Sequence, residues 1–139
     1  MANFRRLDLR VFRKDPLRET LRVVGINLTG ATQLDFAVRL DPDAAGAKLI
    51  TCALTTTPGA QGCRLVSVTT DAGGVPTSLI EILDTKATMA ALPAAAEAGD
   101  DVVLYYDFQW LRAADGSGLT MTEETKLAGQ FIVMGSVND

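Results

Sequence analysis

Apolar and polar residues alternate along most of this chain in short runs, and Gly, Pro and Asp stand between the runs. A period of two is that of a strand with one buried face. Leu7, Leu9 and Val11 alternate with Arg6, Asp8 and Arg10 until Lys14-Asp15-Pro16 breaks the run. Residues 19–24 put Leu21 and Val23 on one face, and GINLTG at 25–30 turns the chain. Over 33–40, Leu34, Phe36, Val38 and Leu40 face one way while Asp35, Ala37 and Arg39 face the other. Residues 41–46 read as a loop from their turn residues. Residues 48–56 and 63–69 then read as a hairpin around Pro58-Gly59, with Ile50, Cys52 and Leu54 alternating with Leu49, Thr51 and Ala53. Asp71-Ala72-Gly73-Gly74 signals a further turn into 77–83, where Ile80 and Ile82 point in and Glu81 points out.

The pattern changes after residue 83. Asp84 is a capping-type residue ahead of the helix-forming alanines of 84–92, and Pro93, further alanines and Gly99 follow. This predicts one or two helical turns near 85–98, crossing between sheets. The strongest strand is 102–111: Val102, Leu104, Tyr106, Phe108 and Trp110 share an apolar face fit for the core, and Tyr105 lies on the other face, available for a hydrogen bond or for a neighbouring subunit. Asp115-Gly116-Ser117-Gly118 turns the chain into 127–134, where Phe131 and Val133 oppose Ile132 and Met134. Gly129 within that run predicts a bulge or the close approach of another backbone. The spacing is that of an all-β chain forming a sandwich of seven to nine strands. It predicts one sandwich domain over 19–139, preceded by 1–18 as a basic arm or edge strand.

A chain of 139 residues can bury a sizeable core, and 47% apolar with 22% charged residues is ordinary globular composition. No apolar run approaches the ~20 residues needed to span a bilayer. The start, MANFRRLDLRVF, lacks the apolar stretch and small-residue site of a signal peptide, which points to a chain made and retained in the cytoplasm or assembled there. The net charge of −4 hides an asymmetry: residues 1–22 hold seven basic and three acidic groups, and the remainder carries −8. The bland reading of that basic segment is a solvated strand edge. It also suits contact with an acidic neighbour, including another copy, through Arg5, Arg6, Arg10 and Arg13. Only Phe4 and Phe12 accompany it, so the aromatic interleaving of a nucleic-acid platform is missing.

The chain contains no histidine. Triads and Cys-His pairs are therefore impossible, although Lys or carboxylate chemistry is not. Asp100-Asp101 are neighbours that would point to opposite faces of a strand. Asp41 and Asp43 have a calcium-loop spacing but lack the remaining oxygen ligands. Neither GxGxxG nor GxxxxGK[ST] occurs. The expectation is no catalytic residue, no cofactor, no metal, no small-molecule substrate and no membrane partner. If Pro58-Gly59 is a hairpin turn, Cys52 faces about Leu65 rather than Cys63, although a bulge could change that register. Both cysteines are read as reduced thiols, with Cys52 inside. Trp110 could stack on a sugar, but its apolar face favours a core role.

Asn27-Leu28-Thr29-Gly30-Ala31-Thr32 followed by Leu34-Asp35-Phe36-Ala37-Val38-Arg39 resembles the D-L-T-G-A-T … F-x-V-R stretch of phage baseplate and tail-associated proteins, with Asn27 in the place of Asp. Leu92-Pro93-Ala94, Tyr106-Asp107-Phe108-Gln109, Asp115-Gly116 and the closing Leu127-Ala128-Gly129-Gln130-Phe131-Ile132-Val133 continue the pattern, so the resemblance spans roughly 20–135. Residues 1–18 are extra to it. The resemblance implies an Ig-like antiparallel β-sandwich similar to the N-terminal domain of baseplate upper proteins. It implies a virion structural protein of the tail or baseplate, made in the host cytoplasm and acting as a homo-oligomer with other virion proteins. In such a role the contact residues would be Arg5, Arg6, Arg10 and Arg13, from the charge of the leading segment that the resemblance does not cover, and Tyr105, from the outer face of 102–111. A capsid decoration or head–tail connector protein is the neighbouring expectation, and a carbohydrate or cell-surface binding module the expectation from another class.

Overall fold

The fold is given by a computed structural model that describes residues 5–6, 8–42, 46–97, 99–111 and 124–135, with backbone alone at 5–6 and 124–126. The turn expected at 115–118, Asp43 of the calcium pair and Leu7 lie outside the described residues. The described residues form nine strand segments and one short helix: β1 (Arg5–Arg6), β2 (Leu9–Phe12), β3 (Leu17–Val24), β4 (Gln33–Arg39), β5 (Lys48–Ala53), β6 (Gly62–Thr70), β7 (Pro76–Asp84), α1 (Lys86–Ala90), β8 (Val102–Leu111) and β9 (Glu124–Met134). One sheet runs β1-β9-β8-β4-β5, with β2 also on β9, and the other runs β3-β7-β6. Because β1 and β2 share one edge, the segments fill eight positions in two sheets.

This order is that of an Ig-like sandwich. In that fold strands A, B, E and D form one sheet and C, F and G the other, with C′ added beside C in the variable type. Here β3, β7 and β6 hold the B, E and D positions, while β4, β8, β9 and β5 hold C, F, G and C′. The leading segment departs from the simple scheme. It pairs with β9, and in parallel, Leu9 opposite Phe131 and Val11 opposite Val133. The position beside β3 is thereby left open among the described strands.

The core follows from the alternation. Phe36 stacks on Tyr106 with ring centroids 5.4 Å apart and lies 6.1 Å from Phe131. Phe108 meets Trp110 at 5.7 Å. Leu21, Ile80 and Ile82 close the cavity from the three-stranded sheet, and Leu9 and Val11 from β2. Met89, the buried residue of α1, seals one end as the chain crosses between sheets.

Five expectations are corrected. Residues 48–56 and 63–69 do not form a hairpin: β5 is an edge of one sheet and β6 an edge of the other, so Pro58-Gly59 sits in a sheet switch. Leu54, expected inside, is 37% exposed and forms an isolated bridge to Cys63. A register shift at Val38/Arg39 ends the alternation of β4 and leaves Leu40 exposed. The cap of α1 is Thr85, whose hydroxyl accepts the Thr88 N–H at 3.1 Å; Asp84 ends β7, and its carboxylate accepts the Thr85 N–H at 2.7 Å. Gly129 does not mark a bulge but stands opposite Tyr106; the β8–β9 irregularity falls at Phe108/Gln109.

Candidate assembly surface

The GINLTG turn at 25–30 is built as a structural plug. Leu28 is buried beneath the turn between β3 and β4. Ser78, fully buried on β7, accepts the Leu28 N–H at 2.9 Å and donates to the Ile26 carbonyl at 2.7 Å, so neither backbone group is stranded. Asn27 Oδ1 accepts the Thr29 N–H at 2.9 Å, and Gly30 supplies the positive φ that completes the turn.

The residues expected to contact partners have different fates. Arg5 and Arg6 lie on β1, opposite Leu127 and Ala128. Arg10 is exposed on the outer face of β2, beside Ile132, and makes no hydrogen bond or ion pair among the described residues. Arg13 is turned inward: its guanidinium donates to the carbonyls of Leu92 and Pro93, tying the end of β2 to the crossover after α1. Its guanidinium is thereby engaged within its own fold. Tyr105 lies on the outer face of β8, half-buried between Gln130 of β9 and Arg39 of β4. Next to it Arg39 pairs with Asp107 at 3.2 Å. Phe12 and Val103, on this face, are 57% and 43% exposed. Trp110 is 3% exposed and offers no ring for a sugar to stack on.

Sequence reasoning missed the open side of the sandwich. Between β2 and β3 lies a cleft of about 360 Å³, lined by Arg10, Phe12, Asp15, Leu17, Arg18 and Glu19. On β3, Leu17, Leu21 and Val23 are buried inward, and Glu19 shares their face in the row formed with Ile82 and Cys63. Parity alone places Glu19 there; it is a carboxylate where the pattern wants an apolar residue. It has no hydrogen-bond or ion-pair partner among the described residues, and burial holds its carboxyl above the usual range. Burial first, then the charges of Asp8 and Glu19, pushes Tyr106 up to about 12. Arg18 and Arg22 are exposed on the outer face of β3, also without partners among the described residues, while Arg64 pairs with Glu81 at 3.2 Å.

For an acid whose folded pKa is raised, stability is fully present below the unfolded pKa and is lost as pH rises through the folded value. Glu19→Gln is therefore expected to raise the melting temperature by a few degrees at about pH 7 and by nothing near pH 4. A gain of equal size at both pH values would show that ionisation of Glu19 is not the cause.

The closed side carries the cysteines. Both are free and fully buried. Cys63 Sγ donates to the Cys52 carbonyl at 3.3 Å, and Cys52 Sγ lies 3.6 Å from the Leu83 carbonyl and from the Asp84 carboxylate. Burial first, then the Asp84 charge, pushes the Cys52 thiol far up. Burial also pushes Cys63 up to about 12, against an opposing backbone hydrogen bond at Phe36. Thiols in this state are poor nucleophiles. Native protein at about pH 8 is expected to resist Ellman's reagent and to release two thiols per chain on denaturation; rapid stoichiometric reaction of the native protein would contradict this burial.

Asp101 accepts the Gly135 N–H at 3.1 Å, a structural use of one of the paired aspartates. Among the described residues no group of three or more His, Cys, Asp or Glu side chains could hold a metal ion, and no helix is long and apolar enough to cross a membrane. Compared with known proteins, the chain matches no family model and no curated protein sequence.

Proposed function

We propose that this chain is a non-enzymatic structural protein of a bacteriophage virion, a tail or baseplate subunit that acts by assembling in several copies with other virion proteins. The observation that carries the reading is a division of labour. The groups with chemical potential, the two thiols, Tyr106 and Asp84, are buried, while Arg10, Arg18 and Arg22 stand exposed without partners among the described residues. A surface of that kind favours association over catalysis. The resemblance of GINLTG and the strands after it to tail-associated proteins supplies the phage context, and an Ig-like sandwich is the fold that resemblance implies.

The test is charge reversal on the leading edge. Arg5→Glu, Arg6→Glu and Arg10→Glu together are expected to shift sedimentation toward smaller species while circular dichroism stays unchanged. Assembly indistinguishable from wild type would remove the basic edge from the account. Arg13 is kept out of this variant because it holds the crossover.

A further inference from the structure

Each sheet edge has a device that limits pairing with foreign strands, and the devices differ. β6 carries a register shift between Leu65 and Ser67. β5 has six residues and begins beside a bulge. The leading edge is divided into β1 and β2. β3 has no such break: its eight residues pair with β7 in unbroken register from Leu17 opposite Asp84 to Val24 opposite Thr77. Among the described strands its other side is open, because the strand that would flank it lies on β9 instead. A long regular edge is a template for strand addition. The device here is chemical. Glu19 points inward at mid-strand, and Arg18 and Arg22 point outward.

These charges decide which strand fits. In an antiparallel strand, residues directly opposite share a face, and opposite charges there are favourable while like charges are not. A second copy of β3, added antiparallel with its inward face kept inward, is refused in the registers centred on residues 19 to 22. Pairing centred on Thr20 sets Arg18 against Arg22, centring on Leu21 sets Glu19 against apolar Val23, and centring on Glu19 or Arg22 sets each against itself. Self-addition therefore meets like charge or an unpaired carboxylate. A strand with the inverse pattern meets neither.

We propose that the open edge of β3 receives an extended strand from a different protein, antiparallel, with a Lys or Arg turned inward to Glu19 and Asp or Glu turned outward opposite Arg18 and Arg22. The incoming strand fills the vacant position of the three-stranded sheet and covers the cleft beside Leu17 and Phe12. Glu19 acts as the selector: a strand with an apolar or acidic residue at that point leaves a desolvated carboxylate unpaired. This deepens the assembly reading by naming the chemistry of a second partner, and it concerns an edge separate from Arg5, Arg6 and Arg10.

The experiment uses the full chain and two labelled synthetic peptides, read by fluorescence anisotropy and by amide hydrogen exchange. One peptide, Thr-Val-Glu-Val-Thr-Lys-Glu-Val-Thr, places Lys opposite Glu19 and Glu opposite Arg18 and Arg22. The other exchanges every Lys and Glu. The first is expected to bind at least about tenfold more tightly and to slow exchange at residues 17–24, although the second has the better net charge for an acidic protein. Glu19→Gln is expected to shrink the preference severalfold. Arg18→Glu with Arg22→Glu, both at exposed positions, is expected to abolish binding of the first peptide without loss of fold. Equal binding of the two peptides, binding of neither, or protection at β5 or β6 in place of β3 would overturn the proposal. One-to-one peptide binding is independent of self-assembly, so either reading can fail while the other stands.

Discussion

Phe36→Ala is expected to cost about 3–5 kcal/mol of folding stability, the range for removing a buried aromatic. Phe36 is fully buried at the centre of β4, between β5 and β8. Its ring stacks on Tyr106 and tilts against Phe131, so the substitution empties the point where β4, β8 and β9 share one aromatic contact. The surrounding strands are fixed by their ladders and can collapse only partly into the space. A urea melt reads the effect as a lower midpoint at unchanged slope. A loss under about 1 kcal/mol would mean that Phe36 is not in the core as described. Phe36→Leu, which keeps most of the volume, is expected to lose clearly less.

Gly62→Ala is expected to cost about 3 kcal/mol, for a backbone reason. Gly62 has φ of +136°, and a Cβ built there would lie 2.5 Å from the Ala53 carbonyl oxygen and 3.0 Å from Thr55 Cγ2. The obstacle is main chain at the point where the chain leaves one sheet and enters the other. Relief would mean moving β5 away from β6, along with the Thr55 N–H to Cys63 carbonyl bond of 2.9 Å. Gly25→Ala is the comparison: that glycine also has positive φ, but nothing lies within 4 Å of its added Cβ. It is expected to show the conformational cost without the clash, roughly 1 kcal/mol. Equal costs at the two positions would rule out the close approach as the cause.

The strands themselves were legible because period-two alternation survives wherever one face of a strand is buried. β8 shows it throughout, with Leu104, Tyr106, Phe108 and Trp110 all inside. The expected sandwich of seven to nine strands and the helical crossover match the nine segments and α1. Pairing was less legible. A Pro-Gly loop between two β runs carries the same local signal whether the second run folds back on the first or crosses to the other sheet. That it crosses is seen only in the ladders, β5 on β4 and β6 on β7. Leu40 and Leu54 were misplaced for a related reason: alternation tells nothing of where a strand stops.

The surface was the least legible. Arg13 looked like its neighbours in a basic segment, and only the three-dimensional position of the carbonyls after α1 gives it an internal role. Glu19 was visible as a charged residue in step with Leu21 and Val23. Its meaning depends on β2 joining β9 rather than β3, and parallel pairing between distant segments leaves no local signature. The expected hairpin that would separate the cysteines does not form. They are free thiols in the structure, on either side of a sheet switch.

The most direct test of the assembly account is the mass of the purified full chain in solution by multi-angle light scattering, at low and at high salt. The account predicts a defined multimer at low salt whose mass falls as salt screens the charged leading edge. A monomer of unchanged mass at both salt concentrations would contradict it.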